Sequence, residues 1–439
     1  MKIWIKRALL LLFLVALAPA ARWLQRMLSY SFGDGDGVIS DFAINHAVAA
    51  LPTLIALLIV SLCLWWLRKH LSSTKMILSL CTLLVLFGVL NFAAEIFLQS
   101  RPRSIGDDND HRVAYPYIEF KGSFQSGKHN ELGYGGKVPE QEKKQGEYRI
   151  IFLGGSTVRF GQPAIPALVE QLFHAEGFEE VQVFNFGVSG SNTGMELARL
   201  VFEVPAYQPD MIVSYSGGND INLPMYADPR PGYPFNFMVK EYSPLLDRDY
   251  PLAALTAYGS HLFRLLGYDY FMRKFTRVEE LRRSTGWKTQ PWREQIAEAY
   301  VHNVETSARI AHAFDSAFVA FLQPSLLTKK NATERERAYL DQFMLTSVQK
   351  FGLTSDDWHL HDEFIRNRIN VRLSAARTPG FRFIDMSAAF ASVETSTYVD
   401  LIHTDQHAKR LAASRIFETL RALRAANSRE TRPDKHAQQ

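Results

Sequence analysis

Cysteine is nearly missing from this chain: two among 439 residues, Cys63 and Cys81, both inside apolar runs. The rest of the chain therefore has no material for a disulfide framework or a cysteine zinc site, and its stability must come from a packed core. A charge imbalance is missing as well. Lysine and arginine number 49 against 45 aspartates and glutamates, a formal net charge of +4. With no basic block interleaved with aromatics, nucleic acid is not an expected partner. No Gly-Lys-Ser/Thr follows a glycine turn, which removes the phosphate loop of nucleotide hydrolases.

Charge is absent from two further stretches, Ala47 to Leu67 and Met76 to Ala94. Each approaches the roughly 20 apolar residues that cross a bilayer core. A third stretch, 8–21, follows Lys2, Lys6 and Arg7 and ends in small residues. It reads as a signal peptide or an uncleaved short span, and two spans following closely favour the span. Residues 1–100 are thus expected to be a membrane anchor with spans near 8–21, 47–67 and 76–98. Arg68, Lys69 and Lys75 make the loop between the last two basic, which assigns it to the cytoplasm and sends residues 101–439 to the outer, periplasmic side. The GDGDG run at 33–37 fails as a calcium loop, because Phe32 and Ala43 stand at the first and last ligand positions.

Residues 101–147 are polar, a tether and lead-in segment that includes NELGYGG at 130–136. From 148 the chain alternates apolar β-rich runs with helical patterns, which predicts an α/β domain over 148–425. Strands are expected at 148–153, 181–186, 210–216, 316–322 and 381–385. Helices are expected near 164–176, 194–204, 291–314, 333–350, 356–375 and 406–425. Near-continuous apolar strands imply a parallel sheet covered on both faces. An aromatic- and proline-rich insertion at 221–290 suits a cap over the site, and 426–439 reads as a disordered tail.

The chemistry gathers where strands end. Ser156 follows the run RIIFLGG, Gly187 lies in FNFGVSGSN, Asn219 in SGGND, and Asp400 with His403 in VDLIH. Binding sites of such sheets lie beyond the carboxyl ends of the strands. A serine hydroxyl needs a base, which His403 can supply near neutral pH; Asp400, three residues before it, can fix the ring's tautomer. The N–H groups of Ser156 and Gly187, with the Asn219 amide, are the expected oxyanion donors.

In these four blocks the chain resembles the SGNH (GDSL-like) hydrolase superfamily, as membrane-tethered bacterial members do in the NELGYGG segment also. The resemblance spans about residues 130–425. It implies a flavodoxin-like three-layer α/β/α sandwich, no cofactor or metal, and ester hydrolysis or acyl transfer. Its catalytic weight falls on Ser156, Gly187, Asn219, Asp400 and His403. One departure is Gly155, where many members carry aspartate. The function expected is a membrane-anchored serine esterase removing small O-acyl groups, acetyl above all, from cell-envelope or extracellular polysaccharide. The alternatives are an O-acyltransferase on the same glycans, a lipase or thioesterase, and a catalytically silent polysaccharide-assembly protein.

Other polar clusters attract plainer expectations. His359, His361, Asp362 and Glu363 in WHLHDEF offer metal ligands without a matching third partner, so a solvated helix face capped at Asp356 or Asp357 is expected. His407 reads as a surface or supporting residue. Arg159 suits an anionic or sugar substrate or a salt bridge on the first crossover helix, and Trp287 and Trp292 suit packing in the cap rather than sugar stacking.

Overall fold

A computed structural model describes residues 112–115, 118–122, 129–233 and 278–430, with isolated positions between 72 and 96. The chain divides into two compact units, and the one carrying the site is Pro102–Tyr242 with Asp269–Gln439. The expected spans at 8–21 and 47–67, the middle of the cap insertion and the last nine residues lie outside the described residues; 76–98 is described only at isolated positions. Among the described residues no helix is long and apolar enough to cross a membrane.

A short antiparallel pair, β1 (Arg112–Tyr115) and β2 (Glu119–Gly122), precedes the main sheet. The sheet itself has five parallel strands: β3 (Tyr148–Gly154), β4 (Val181–Asn185), β5 (Met211–Ser216), β6 (Ala317–Leu322) and β7 (Phe381–Asp385). Their order is β4-β3-β5-β6-β7, the flavodoxin-like winding. β5 and β6 are buried along their whole length, as a central parallel strand must be. Edge strand β7 is buried only at Phe381.

Helices α1 (Ser156–Arg159), α2 (Ile165–Ala175), α3 (Thr193–Phe202) and α4 (Gly218–Tyr226) follow the first three strands. Then come α5 (Val278–Ser284), α6 (Gln290–Ala313), α7 (Glu334–Phe351), α8 (Ser355–Ser374) and α9 (Gln406–Glu430). Right-handed crossovers put α2 and α3 on opposite faces, because β3→β4 and β4→β5 run in opposite directions across the sheet. α9 joins α2, while α6 packs on α3 and α8, completing three layers. Side-chain caps set several starts: Asn192 accepts from Met195 N, and Thr333 with Glu336, and Thr354 with Asp357, form capping boxes. α8 therefore starts from Thr354, not from Asp356 or Asp357. α9 runs to Glu430, past the expected domain end at 425.

Phe173 of α2 is fully buried and meets Phe417 of α9 edge-on at 4.9 Å, so one ring ties the first crossover helix to the last. Phe173→Ala leaves a cavity there, with an expected cost of about 3–5 kcal/mol. The check is a shift of the chemical-denaturation midpoint; an unchanged midpoint contradicts this packing account.

Candidate active site

β3 and β5 are neighbours at the point where the strand order reverses, and the turns after them carry Ser156 and Asn219. The first turn is unusually tight. A Cβ on Gly154 would stand 2.3 Å from Val158 Cγ2 and 2.8 Å from the Tyr215 carbonyl, so only glycine lets the chain swing from β3 straight into α1. Ser156 opens α1, where the backbone N–H has no intrahelical acceptor.

The structure brings Ser156, His403 and Asp400 together. Ser156 Oγ lies 2.6 Å from His403 Nε2, and His403 Nδ1 lies 2.6 Å from Asp400 Oδ2. Asp400 Oδ1 also accepts from the N–H groups of Ile402 (2.9 Å) and His403 (2.7 Å). Burial alone pushes the Asp400 carboxyl up, but the His403 ring and these two N–H groups outweigh it and hold the group below its ordinary value. The carboxylate is therefore ionised, and its bond to Nδ1 leaves Nε2 as the acceptor facing the serine.

Asn219 stands on the other side of the serine turn. Its Nδ2 donates to the Ser191 carbonyl at 2.6 Å and would lie 2.6 Å from a Cβ on Gly155. Gly187 is placed differently from expectation. Its N–H donates to Asn185 Oδ1 at 2.9 Å, and the Asn185 amide in turn donates to the Val158 carbonyl at 2.9 Å. A Cβ on Gly187 would meet Arg159 N at 2.8 Å, so this glycine is needed for close packing behind α1 and its donor is engaged. Gly190, three residues on, has φ +79 and directly precedes the Ser191 carbonyl that holds Asn219. Its N–H has no acceptor among the described residues, whereas that of Gly187 is engaged. The signal was present in the sequence: an asparagine two residues before a glycine invites a side-chain turn that takes up the glycine N–H.

Beneath the site lies a buried polar layer absent from the sequence reading. Glu196 of α3 accepts from Ser214 Oγ (2.6 Å) and Ser216 Oγ (2.7 Å). Arg199, fully buried, donates to Ser191 Oγ at 2.8 Å. Asp220 accepts from the N–H (3.0 Å) and hydroxyl (2.5 Å) of Thr193 at the start of α3. The lead-in segment closes the β4 side. Tyr134 stacks on Phe186 at 4.4 Å, and Gly135 bridges Asn185.

The remaining clusters resolve as structure. The WHLHDEF face is not solvated throughout: His359 and Glu363 are exposed, whereas His361 and Asp362 are buried. Asp362 pairs with Arg366, and His361 Nε2 lies 2.7 Å from the Ile221 carbonyl. Burial lowers the His361 pKa to about 3, so the ring is neutral. No group of metal-holding side chains occurs among the described residues. His407 is exposed. Arg159 is half-buried, with its guanidinium 5.4 Å from the Phe160 ring. Trp292 is fully buried and donates to the Pro229 carbonyl at 2.7 Å; Trp287 lies under the Arg282 guanidinium at 4.0 Å. Both tryptophans are spent on packing.

No protein-family model and no curated protein matches the chain. Similar solved structures include the acetyl xylan esterase AlAXEase, at 12% identity over 62% of this chain and 99% of that one, with a TM-score of 0.34. Axe2, an acetylxylan esterase from Geobacillus stearothermophilus, shows 16% identity over 63% and 94%, with a TM-score of 0.32. The lipase Lip_vut3 from a goat rumen metagenome shows 13% identity over 63% and 97%, with a TM-score of 0.36. A serine on a strand-to-helix turn, an asparagine amide across from it and an Asp-x-x-His closing from the last loop form an arrangement able to carry out nucleophilic acyl chemistry.

Two outcomes are expected from this arrangement. Gly154→Ala forces the serine turn outward and lowers kcat by about 100-fold. Wild-type turnover in this variant would refute the tight-turn account. Burial pushes Glu196 up to about 7 and Asp220 up to about 6. Raised carboxyl values mean that folding is favoured while both groups are protonated. Their contribution is full below pH of about 4 and is lost as pH rises to about 7. Glu196→Gln therefore flattens the fall in stability between those limits by on the order of 3 kcal/mol, read from denaturation midpoints across pH. An unchanged slope would argue that Glu196 is ionised when folded.

Proposed function

We propose that the protein is a membrane-anchored serine esterase that removes small O-acyl groups, acetyl above all, from cell-envelope or extracellular polysaccharide. The observation that carries the chemistry is the continuous hydrogen-bonded line from Ser156 Oγ through His403 to Asp400, with both contacts at 2.6 Å. In this reading His403 Nε2 takes the serine proton as Oγ attacks the acyl carbon. Asp400 stabilises the imidazolium that results. The N–H groups of Ser156 and Gly190 and the Asn219 amide receive the oxyanion, and Gly187 shapes the turn behind them. The imidazolium then protonates the departing sugar oxygen, which leaves as the free hydroxyl, and water resolves the acyl-enzyme with His403 again as base. No metal or cofactor enters any step.

The anchor and location rest on sequence. Three apolar runs near 8–21, 47–67 and 76–98, with basic residues 68, 69 and 75 between the last two, support an inner-membrane protein whose catalytic unit faces the periplasm. A site facing that compartment meets acylated glycans, which supports the substrate class. The acetyl preference extends that argument and has no residue of its own.

The full-length protein assayed on p-nitrophenyl esters of increasing chain length is expected to favour acetate. Ser156→Ala should lower kcat by at least about 1000-fold. A preference for chains of about eight carbons or more would assign the protein to lipases instead. Full activity in the alanine variant would remove the serine mechanism. A periplasm-active reporter fused after residue 439 is expected to be active, and a silent fusion would reverse the topology.

A further inference from the structure

The loop that carries Asp400 and His403 has a long way to travel. β7 lies at the edge of the sheet, separated from β3 by two strands, yet His403 must reach the serine that follows β3. The loop leaves β7 with Met386 N bonded to the Leu322 carbonyl, and later Leu326 N bonds the Leu401 carbonyl. Between 397 and 405 it closes into a narrow excursion. Val399 N donates to the His403 carbonyl (2.9 Å), Asp405 N donates to the Thr397 carbonyl (2.9 Å), and Tyr398 bridges Thr404. Asp400 and His403 sit at its tip, so the position of the tip is set at its base.

That base is gripped by a buried ion pair that the serine mechanism does not use. Lys329 and Glu336 have side chains with 0% exposure. Lys329 Nζ donates to both Glu336 oxygens, at 3.0 and 2.7 Å, and to the Thr395 carbonyl at 2.8 Å. Glu336 Oε1 accepts from Thr397 N (2.7 Å), Thr397 Oγ1 (3.0 Å) and Tyr398 N (3.0 Å). Its Oε2 accepts from Thr333 N (2.8 Å) and Thr333 Oγ1 (3.1 Å), tying the same carboxylate into the capping box of α7. Burial works against the charge, but these donors prevail and lower the Glu336 pKa to about 2. A helix cap alone needs only the Thr333 contacts. The contacts to residues 395–398 are additional, and they fall at the foot of the catalytic loop.

We propose that Glu336, held by Lys329, is a positioning residue that sets the 397–405 loop so that the His403 imidazole stands on Ser156. The carboxylate never meets substrate. It acts through Thr397 and Tyr398, and the proposal rests on the esterase reading of the same site. Loss of the grip displaces the imidazole tip and slows proton transfer while leaving the acyl-binding surface in place.

The test uses the full-length protein and two variants. Glu336→Gln keeps shape but leaves Lys329 buried without its counter-charge. The double variant Lys329→Met/Glu336→Leu removes both charges, a replacement that folded proteins generally tolerate, and leaves the Thr397 and Tyr398 N–H groups without their acceptor. In folded variants kcat is expected to fall about 10- to 100-fold with KM within about threefold. Covalent labelling of Ser156 by a fluorophosphonate should slow in parallel. The strongly downfield proton resonance of a His403 Nδ1–H shared with Asp400, present in the wild type, should weaken or vanish. If the double variant folds and labels at the wild-type rate with that resonance intact, the positioning role is overturned and the pair is only a helix cap. If the wild type hydrolyses no ester and takes no label, the esterase reading fails instead. The resonance then decides the positioning claim alone: lost in the variants it stands, and retained in them or missing from the wild type it falls.

Discussion

The parallel pairing of β3 with β5 is the constraint on which the rest depends. Its register sets Gly154 opposite Tyr215, so the two strands end side by side and their turns open into one crevice. Because the order of strands reverses here, the helices after β3 and after β4 leave to opposite faces and leave the crevice uncovered by either. Ser156 and Asn219 are then placed by backbone alone. His403 is not: it arrives from the far edge of the sheet on a loop that needs anchoring along the way. The two halves of the site are positioned by different physics, strand pairing for the nucleophile and side-chain hydrogen bonds for the base.

That division explains what the sequence disclosed. Buried parallel strands are continuous apolar runs, and the run SAFVAFL at 316–322 falls within one residue of the observed β6. The elements around the site were legible for the same reason, and so were Ser156, Asn219, Asp400 and His403, each attached to a strand end or to a short motif. What escaped was polar burial. His361 and Asp362 look like surface residues by type, yet the Ile221 carbonyl and Arg366 receive them inside the fold. A polar side chain is buried where a partner waits: for His361 that partner is 140 residues away, and for Asp362 it is Arg366 one turn on, itself held by the distant Gln323 carbonyl. The second block carries a contact that the sequence reading did not foresee. FNFGVSG offers two glycines: Asn185 takes the N–H of Gly187, while that of Gly190 has no acceptor among the described residues.

The buried charges divide likewise. Glu336 has every lone pair engaged by donors and stays ionised, so it acts as a fixed fastening. Glu196 and Asp220 have fewer donors for their burial, and their raised values put them near the pH at which a hydrolase works. One network holds the base in place regardless of pH. The other makes the floor under Asn219 sensitive to it, since Asp220 anchors Thr193 and Arg199 reaches the hydroxyl of Ser191, whose carbonyl holds the Asn219 amide.

Gly155 fits the same floor. Where many relatives in the resembling superfamily carry aspartate, this chain has no side chain, and a Cβ there would stand 2.6 Å from Asn219 Nδ2 and 3.3 Å from the Ser191 carbonyl. Any larger residue at 155 must move the amide off Ser191. The Gly155 departure and the short Asn219–Ser191 bond are thus one feature: removing the side chain lets the amide settle directly against the serine turn. The donor is then oriented by a backbone carbonyl rather than by an acid beside the nucleophile. In the proposed mechanism that keeps a second negative charge away from the Asn219 amide and the Ser156 turn.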